Sequence, residues 1–149
     1  MRPVGTRRPG PIDYLREQLD RKERGHGDAR GLPSITPFKV GIPSYHTRLF
    51  SSDEIPLTVL VEELFVPVRA AARFSDAVLD WIKSTDVDEV VILSGVPIQY
   101  GSDTHRTVYV APEGFREHRL ADGSVEPMGT GFMDGVNGIL VEHGMNTVL

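Results

Sequence analysis

The chain has 149 residues, of which 40 % are hydrophobic and 25 % are charged, and it carries a net charge of −5. This balance is typical of one globular domain, and the complete lack of cysteine excludes disulfides, thiol nucleophiles and thiolate metal sites. No apolar stretch approaches the ~18 residues that span a bilayer, and no apolar segment follows the basic start, so we expect a cytoplasmic protein without membrane contact.

The first segment of the chain is basic. Residues 1–10 contain two prolines, two glycines and three arginines without periodicity, which predicts disorder, and residues 11–149 are expected to form a single domain. Charges alternate in sign along Arg16–Arg24 without interleaved aromatic residues, a pattern typical of a solvated helix face. A nucleic-acid surface is the alternative, but the acidic remainder of the chain disfavours it, so no nucleic acid partner is expected.

The segment after residue 10 is predicted to be helical. The helix extends from Pro11 to about Lys22, because proline suits a first helical turn and apolar residues recur behind it at helical spacing. Gly25–Gly27 is expected to end it. The following Gly- and Pro-rich segment contains one strand-like run, Ser34–Phe38.

Two further strands are predicted over Tyr45–Phe50 and Leu57–Val61. The first alternates apolar and polar residues, which indicates a strand exposed on one face. The second is a denser apolar run, which indicates a strand covered on both faces. Turn-forming residues separate the two strands, so they are compatible with a hairpin.

The best-patterned segment is a helix that follows Pro67. Its predicted apolar face consists of Ala71, Phe74, Val78, Trp81 and Ile82. A buried strand, Glu89–Leu93, comes next. Because a strand, a helix and a strand follow one another, residues 57–62 and 89–94 are predicted to lie parallel in one sheet as a βαβ unit.

A strand over His105–Val110 and a glycine-rich loop, Met128–Gly138, precede a short predicted helix, Ile139–His143. A glycine loop that opens a helix presents free backbone N–H groups and can bind an anion. Its spacing matches neither the dinucleotide fingerprint nor a P-loop, which favours a tight turn with close packing over a ligand cradle. The candidate binding residues of this loop are Gly129, Gly131, Gly135, Asn137 and Gly138.

A second candidate site follows the predicted strand at Glu89–Leu93. Ser94, Gly95 and Pro97 would lie at the carboxyl end of the sheet, where α/β proteins bind ligands. Ser94 is disfavoured as a nucleophile, because the nucleophile elbow requires glycine where this chain has Ile92.

Other polar residues carry no catalytic pattern. Glu62 and Glu63 are adjacent on a predicted strand and should point to opposite faces, so they are expected to be separate rim charges. The five histidines show no paired ligand spacing. We therefore expect no metal and no cofactor, and we assign no catalytic residue.

One set of segments stands out by its order and spacing: Phe74–Ile82, Val87–Pro97, Arg106–Ala111 and Gly129–Leu140, preceded by Gly31–Phe38 and His46–Phe50. Together they resemble the proteasome assembly chaperone two family, and Gly31–Phe38 and His46–Phe50 fit strands of its archaeal members. The order and spacing of the segments make the case.

The resemblance implies an α/β fold, a three-layer α/β/α sandwich around a mixed, largely parallel sheet that is similar to the nucleoside-phosphorylase-like fold. It also implies a non-catalytic, protein-binding role. The implied partners are proteasome α-subunits or paralogous chaperone subunits, together with self-association into a homo-oligomer. A small-molecule or nucleotide-binding enzyme of phosphorylase-like or ATP-grasp-labelled type is the alternative.

The sequence departs from this family at both ends. Met1–Gly10 stands in place of the family's first buried strand, and its prolines are unsuited to a central strand. Asn146–Leu149 resembles the opening of the family's next strand and lacks the hydrophobic-Tyr-x tail of proteasome-binding members. We therefore expect an incomplete version of the fold.

Overall fold

The computed structural model describes residues 22–27, 32, 34–95 and 107–146. The chain divides into two compact units, residues 1–65 and 66–149, and each is described by itself. Among the described residues, the regular elements of the first unit are strands and those of the second are mainly helices, which confirms the α/β class. The assignment of residues 11–149 to a single domain stays a prediction.

The first unit contains a three-stranded antiparallel sheet. Its strands are β1 (Lys22–Gly27), β4 (Thr47–Ser51) and β5 (Thr58–Glu62), in the order β1-β4-β5. A separate short hairpin joins β2 (Phe38–Lys39) to β3 (Ile42–Pro43). Every strand pair that the structure describes in this unit is therefore antiparallel.

The predicted hairpin is confirmed. Leu49 pairs with Leu60 and Phe50 with Val59, so β4 and β5 align over their whole length. The expectation that β4 is exposed on one face is wrong, because the neighbouring residues Thr47 and Arg48 are both buried. The Arg48 guanidinium lies 5.4 Å from the centre of the Phe50 ring and also pairs with Glu63, so the charged side chain itself covers the strand.

Two predictions near the start of the first unit are corrected. Lys22 and Gly25–Gly27, which were expected to end a helix, lie in the strand β1 instead, and β1 pairs with β4 through an irregularity between Glu23 and Gly25. The edge of β4 supplies backbone hydrogen bonds, which overrides local helix propensity. The earlier part of the predicted helix lies outside the described residues. In the run Ser34–Phe38, only Phe38 belongs to a strand.

The second unit begins with the predicted helix, α1 (Val68–Ser84), which is confirmed. The backbone N–H groups of Ala70 and Ala71 donate to the Pro67 carbonyl, so the proline opens the helix as expected. The buried residues are Ala70, Ala71, Phe74, Ser75 and Val78. Trp81 and Ile82, at the end of the predicted face, are only partly buried.

The predicted strand over Glu89–Leu93 is wrong. Residues 87–95 form no regular element, and the side chains of Val90, Val91 and Leu93 are 47 %, 66 % and 64 % exposed. A strand requires a hydrogen-bonded neighbour, and none lies beside these residues in the described part of the chain. The parallel βαβ unit is consequently not formed, and a largely parallel sheet is not observed among the described strands.

The described remainder of the second unit contains a short parallel strand pair and two helices. The strand β6 (Val108–Tyr109) falls within the predicted His105–Val110 run and pairs in parallel with β7 (Glu126–Pro127). The helix α2 (Glu113–Arg119) connects them, and α3 (Gly135–Asn146) extends the short helix that was predicted over Ile139–His143. Helix α1 packs against α3.

Ser75 provides a test of packing on α1. Its side chain is completely buried, and its hydroxyl has no hydrogen-bond partner in the described part of the protein. Because an unsatisfied buried hydroxyl is costly and alanine favours helix, Ser75→Ala is expected to raise the free energy of unfolding by about 1 kcal/mol, measured by urea denaturation. The control is Ser84→Ala, which removes a 2.8 Å hydrogen bond to the Trp81 carbonyl and is not expected to stabilise. A loss of stability in Ser75→Ala would contradict the prediction.

Candidate functional site

The two sites predicted from the sequence meet in the second unit. The Asn137 side-chain amide, in the first turn of α3, donates a hydrogen bond of 2.9 Å to the Ser94 hydroxyl oxygen, 43 positions earlier in the chain. Ser94 and Gly95 are exposed, whereas Pro97 lies outside the described residues. The structure thus brings Ser94 and Asn137 together at the surface.

This pair does not activate Ser94 as a nucleophile. The group that contacts the hydroxyl is an amide N–H, which is a donor and cannot accept the serine proton. A hydrogen bond of this kind instead ties the end of the 87–95 segment to α3. The arrangement is suited to holding a surface in place.

The glycines of the loop have different roles. Gly135 has φ +59°, a conformation that costs other residues energy. A Cβ on Gly138 would lie 2.7 Å from the Met133 carbonyl oxygen, so the loop backbone lies too close to α3 for any side chain at position 138. An added Cβ would meet nothing within 4 Å at Gly129 and only the Met128 methyl group at Gly131. Turn geometry and close packing therefore account for Gly135 and Gly138.

An apolar segment leads into Ser94. Val90, Val91 and Leu93 expose between about half and two thirds of their side chains, and their backbone joins no strand among the described residues. Exposed apolar side chains that lie close together in this way are suited to contact with another protein. We call Val90–Leu93 the exposed segment.

A second apolar feature lies by the glycine loop, and the sequence did not predict it. A depression of about 200 Å³ is lined by side chains that include Tyr109, Val110, Pro127, Met128, Phe132 and Met133. The Met128 N–H donates to the Tyr109 carbonyl at 2.8 Å, which continues the β6–β7 pairing and holds the loop at the edge of this depression. The signal available in the sequence was the apolar pair Phe132–Met133 between glycines.

In the first unit, Glu62 and Glu63 have separate partners, as predicted. The Thr47 hydroxyl donates to Glu62, whereas the Arg48 guanidinium pairs with Glu63. Nδ1 of His46 lies 3.4 Å from a Glu62 carboxylate oxygen. Glu62 is more buried than a rim charge, with only 14 % of its side chain exposed, because β4 supplies these polar neighbours.

Two carboxyl groups have altered acidity, both for structural reasons. A hydrogen bond from Lys22 and the nearby Arg24 charge lower the pKa of Asp53. The Ser124 backbone N–H, which lies 3.0 Å from Asp122, lowers the pKa of that carboxyl. Both groups are exposed, and both stay ionised at neutral pH. Asp53 therefore ties β1 to the β4–β5 turn. Asp122 closes a turn before β7.

Metal and membrane features were also sought. Residues 22–95 and 107–146, as far as the structure describes them, contain no group of three metal-ligating side chains. Among the same residues, no helix combines the length and apolarity needed to cross a bilayer.

Known proteins show the same fold. The sequence model of the PAC2 family matches residues 11–148. A crystal structure of a Thermoplasma acidophilum protein of unknown function is similar with a TM-score of 0.78 and 17 % identity, covering 89 % of this chain and 54 % of that one. Pyrococcus furiosus PbaA, an archaeal homolog of proteasome-assembly chaperone, matches with a TM-score of 0.73 in two crystal structures.

The PbaA structures are 19 % and 18 % identical, and they cover 87 % and 90 % of this chain. The match extends over 53 % and 58 % of PbaA, so this chain spans just over half the length of these solved structures. At such identities the likeness shows a shared fold. No curated protein matches the sequence.

Proposed function

The chain belongs to the PAC2 family, and from this premise we propose that it is a non-catalytic protein-binding module that contacts proteasome α-subunits, paralogous chaperone subunits or itself. The structural likeness to PbaA, an archaeal homolog of proteasome-assembly chaperone, supports this choice of partner. The proposed fold in full is a three-layer, nucleoside-phosphorylase-like α/β/α sandwich. The proposed location is the cytoplasm, without a nucleic acid partner.

The observation that carries the proposal is the exposed segment. Val90, Val91 and Leu93 are apolar and largely open to water, and the Ser94–Asn137 hydrogen bond holds the end of this segment against α3. Apolar side chains presented together in this way favour contact with another protein. Contacts made by these side chains would then give selectivity for the partner.

The alternative of a nucleotide-binding enzyme has less support. Its strongest argument is the glycine loop before α3, but turn geometry explains Gly135 and close packing explains Gly138. Ser94 accepts a hydrogen bond from the Asn137 amide, a group that cannot act as a base. The protein-binding role is therefore the proposal that the geometry supports best.

The decisive experiment titrates the purified chain against proteasome α-subunits by isothermal calorimetry. We expect binding with a Kd in the micromolar range, and Val91→Asp is expected to weaken it by about tenfold or more, because a charge then enters an apolar contact. The same substitution at Val40, which is 93 % exposed on the β2–β3 turn, is the control and should change nothing. Absence of α-subunit binding, or equal losses in both variants, would refute the proposal.

A second titration, with ATP and with a nucleoside plus phosphate, tests the alternative. We expect neither binding nor turnover. Gly129→Val is the informative variant. The valine side chain would enter open space, so the fold should stay intact, but it would obstruct any ligand that the loop backbone binds. Nucleotide binding that is lost in folded Gly129→Val would establish the loop as a ligand cradle and reverse the ranking.

A further inference from the structure

The loop between β7 and α3 presents an apolar tip to water. Phe132 is fully exposed and Met133 is 41 % exposed, and the two stand between Gly131 and Gly135. Burial of a phenylalanine side chain is favourable, and the described part of the chain leaves this contribution unused. The Phe132 ring is therefore available for a contact outside its own chain.

The depression beside this tip has the size and character to receive such a ring. Its volume is about 200 Å³, and Tyr109, Val110, Pro127 and Met128 are among the residues that line it. An apolar cavity of about 150 Å³ is large enough to bind benzene. One phenyl ring consequently fits.

Charge identifies what kind of molecule brings the ring. Arg116 lines the depression, and Asp134 directly follows the apolar tip. Neither side chain joins any of the ion pairs formed among the described residues. A partner that carries an aromatic ring next to an acidic group could place the ring in the depression and pair the acid with Arg116. This chain carries both groups itself, as Phe132 and Asp134.

We propose that two copies of this chain associate about a two-fold axis, with Phe132 of each copy in the depression of the other and Asp134 of each paired with Arg116 of the other. One patch carries both the protrusion and the recess, which is the self-complementarity that a two-fold contact requires. Because Phe132 also lines its own depression, the two rings meet near the axis and add an aromatic contact. The inference rests on the self-association in the proposed function and specifies its surface.

The contact is small. Two rings, two depressions and two ion pairs bury less than the ~1,200 Å² of a standard stable interface, so the dimer is weak and forms in the micromolar range or above. None of the residues Val90–Leu93 lines the depression.

Sedimentation velocity over a range of concentrations tests the surface. The unchanged chain should show a reversible monomer–dimer equilibrium, and Phe132→Ser should weaken it by about tenfold or more. Because Phe132 is fully exposed, this variant should keep its melting temperature. The control is Met145→Ser, which removes another exposed apolar side chain, 62 % exposed on α3, and should not alter the Kd.

Charge exchange tests the pairing. Arg116→Glu and Asp134→Arg should each weaken the dimer, and the double variant should restore it, because the pair re-forms with the charges reversed. Melting temperatures of all three variants show whether they fold. A double variant that folds but stays monomeric overturns the two-fold arrangement.

The outcomes also separate this inference from the proposed function. A chain that is monomeric at every concentration but binds α-subunits overturns the dimer and leaves the function standing. If Phe132→Ser then also weakens α-subunit binding, the occupant of the depression is the α-subunit rather than a second copy. A dimer that shows the predicted variant effects without α-subunit binding supports the inference and refutes that partner.

Discussion

Replacing Phe74 by alanine is expected to lower the free energy of unfolding by about 3–5 kcal/mol, the usual cost of removing a buried phenylalanine ring. Phe74 is 6 % exposed and lies in the middle of the buried face of α1, which packs against α3. A domain of this size has only ~5–15 kcal/mol of stability in total. Urea denaturation should therefore show a much lower midpoint.

Val68→Ala is the matched control for Phe74→Ala. Val68 starts the same helix and is 83 % exposed, so its truncation should change stability by no more than about 0.5 kcal/mol. Similar losses in the two variants would mean that the α1 face is not a packed core. A loss of stability well below 3 kcal/mol in Phe74→Ala would also mean that this face is not a packed core.

Gly138→Ala is expected to destabilise the protein by about 1–3 kcal/mol, although alanine normally strengthens a helix. The added Cβ would lie 2.7 Å from the Met133 carbonyl oxygen and 3.1 Å from its carbonyl carbon. Both contacts are with backbone, so relief requires the loop to move away from α3. Thermal and urea unfolding measure the loss.

The control for Gly138→Ala is the same substitution at Gly144, later in α3. An added Cβ at Gly144 meets nothing within 4 Å, so alanine should raise stability by about 0.5–1 kcal/mol through helix propensity alone. Opposite signs for two identical substitutions in one helix are the expected result. Stabilisation by both would show that the loop does not press on Gly138.

The candidate site was only partly predictable. The sequence singled out Ser94 and Asn137 for separate reasons, but their 2.9 Å hydrogen bond depends on where α3 lies. Close packing was one of the two alternatives for Gly138. The Met133 carbonyl lies so close that a side chain at this position would collide with it. Whether any of these residues binds a ligand stays a prediction. The depression was not predicted, because residues from separate segments of the chain line it.

The sequence by itself determined the features that depend on near neighbours in the chain. Helix α1 follows from Pro67 and from apolar residues at helical spacing, because a helix makes its backbone hydrogen bonds within itself. The β4–β5 hairpin likewise joins two adjacent apolar runs across a short turn. Order and spacing of motifs were also sufficient for the family, which the match over residues 11–148 confirms.

Only the tertiary structure decided which extended segments became strands. The charged run Lys22–Gly27 is a strand because β4 offers it an edge, whereas the apolar run Glu89–Leu93 is not, since no strand lies beside it in the described part of the chain. A strand takes its hydrogen bonds from a neighbour that is distant in sequence, and local composition carries no information about whether that neighbour is in place.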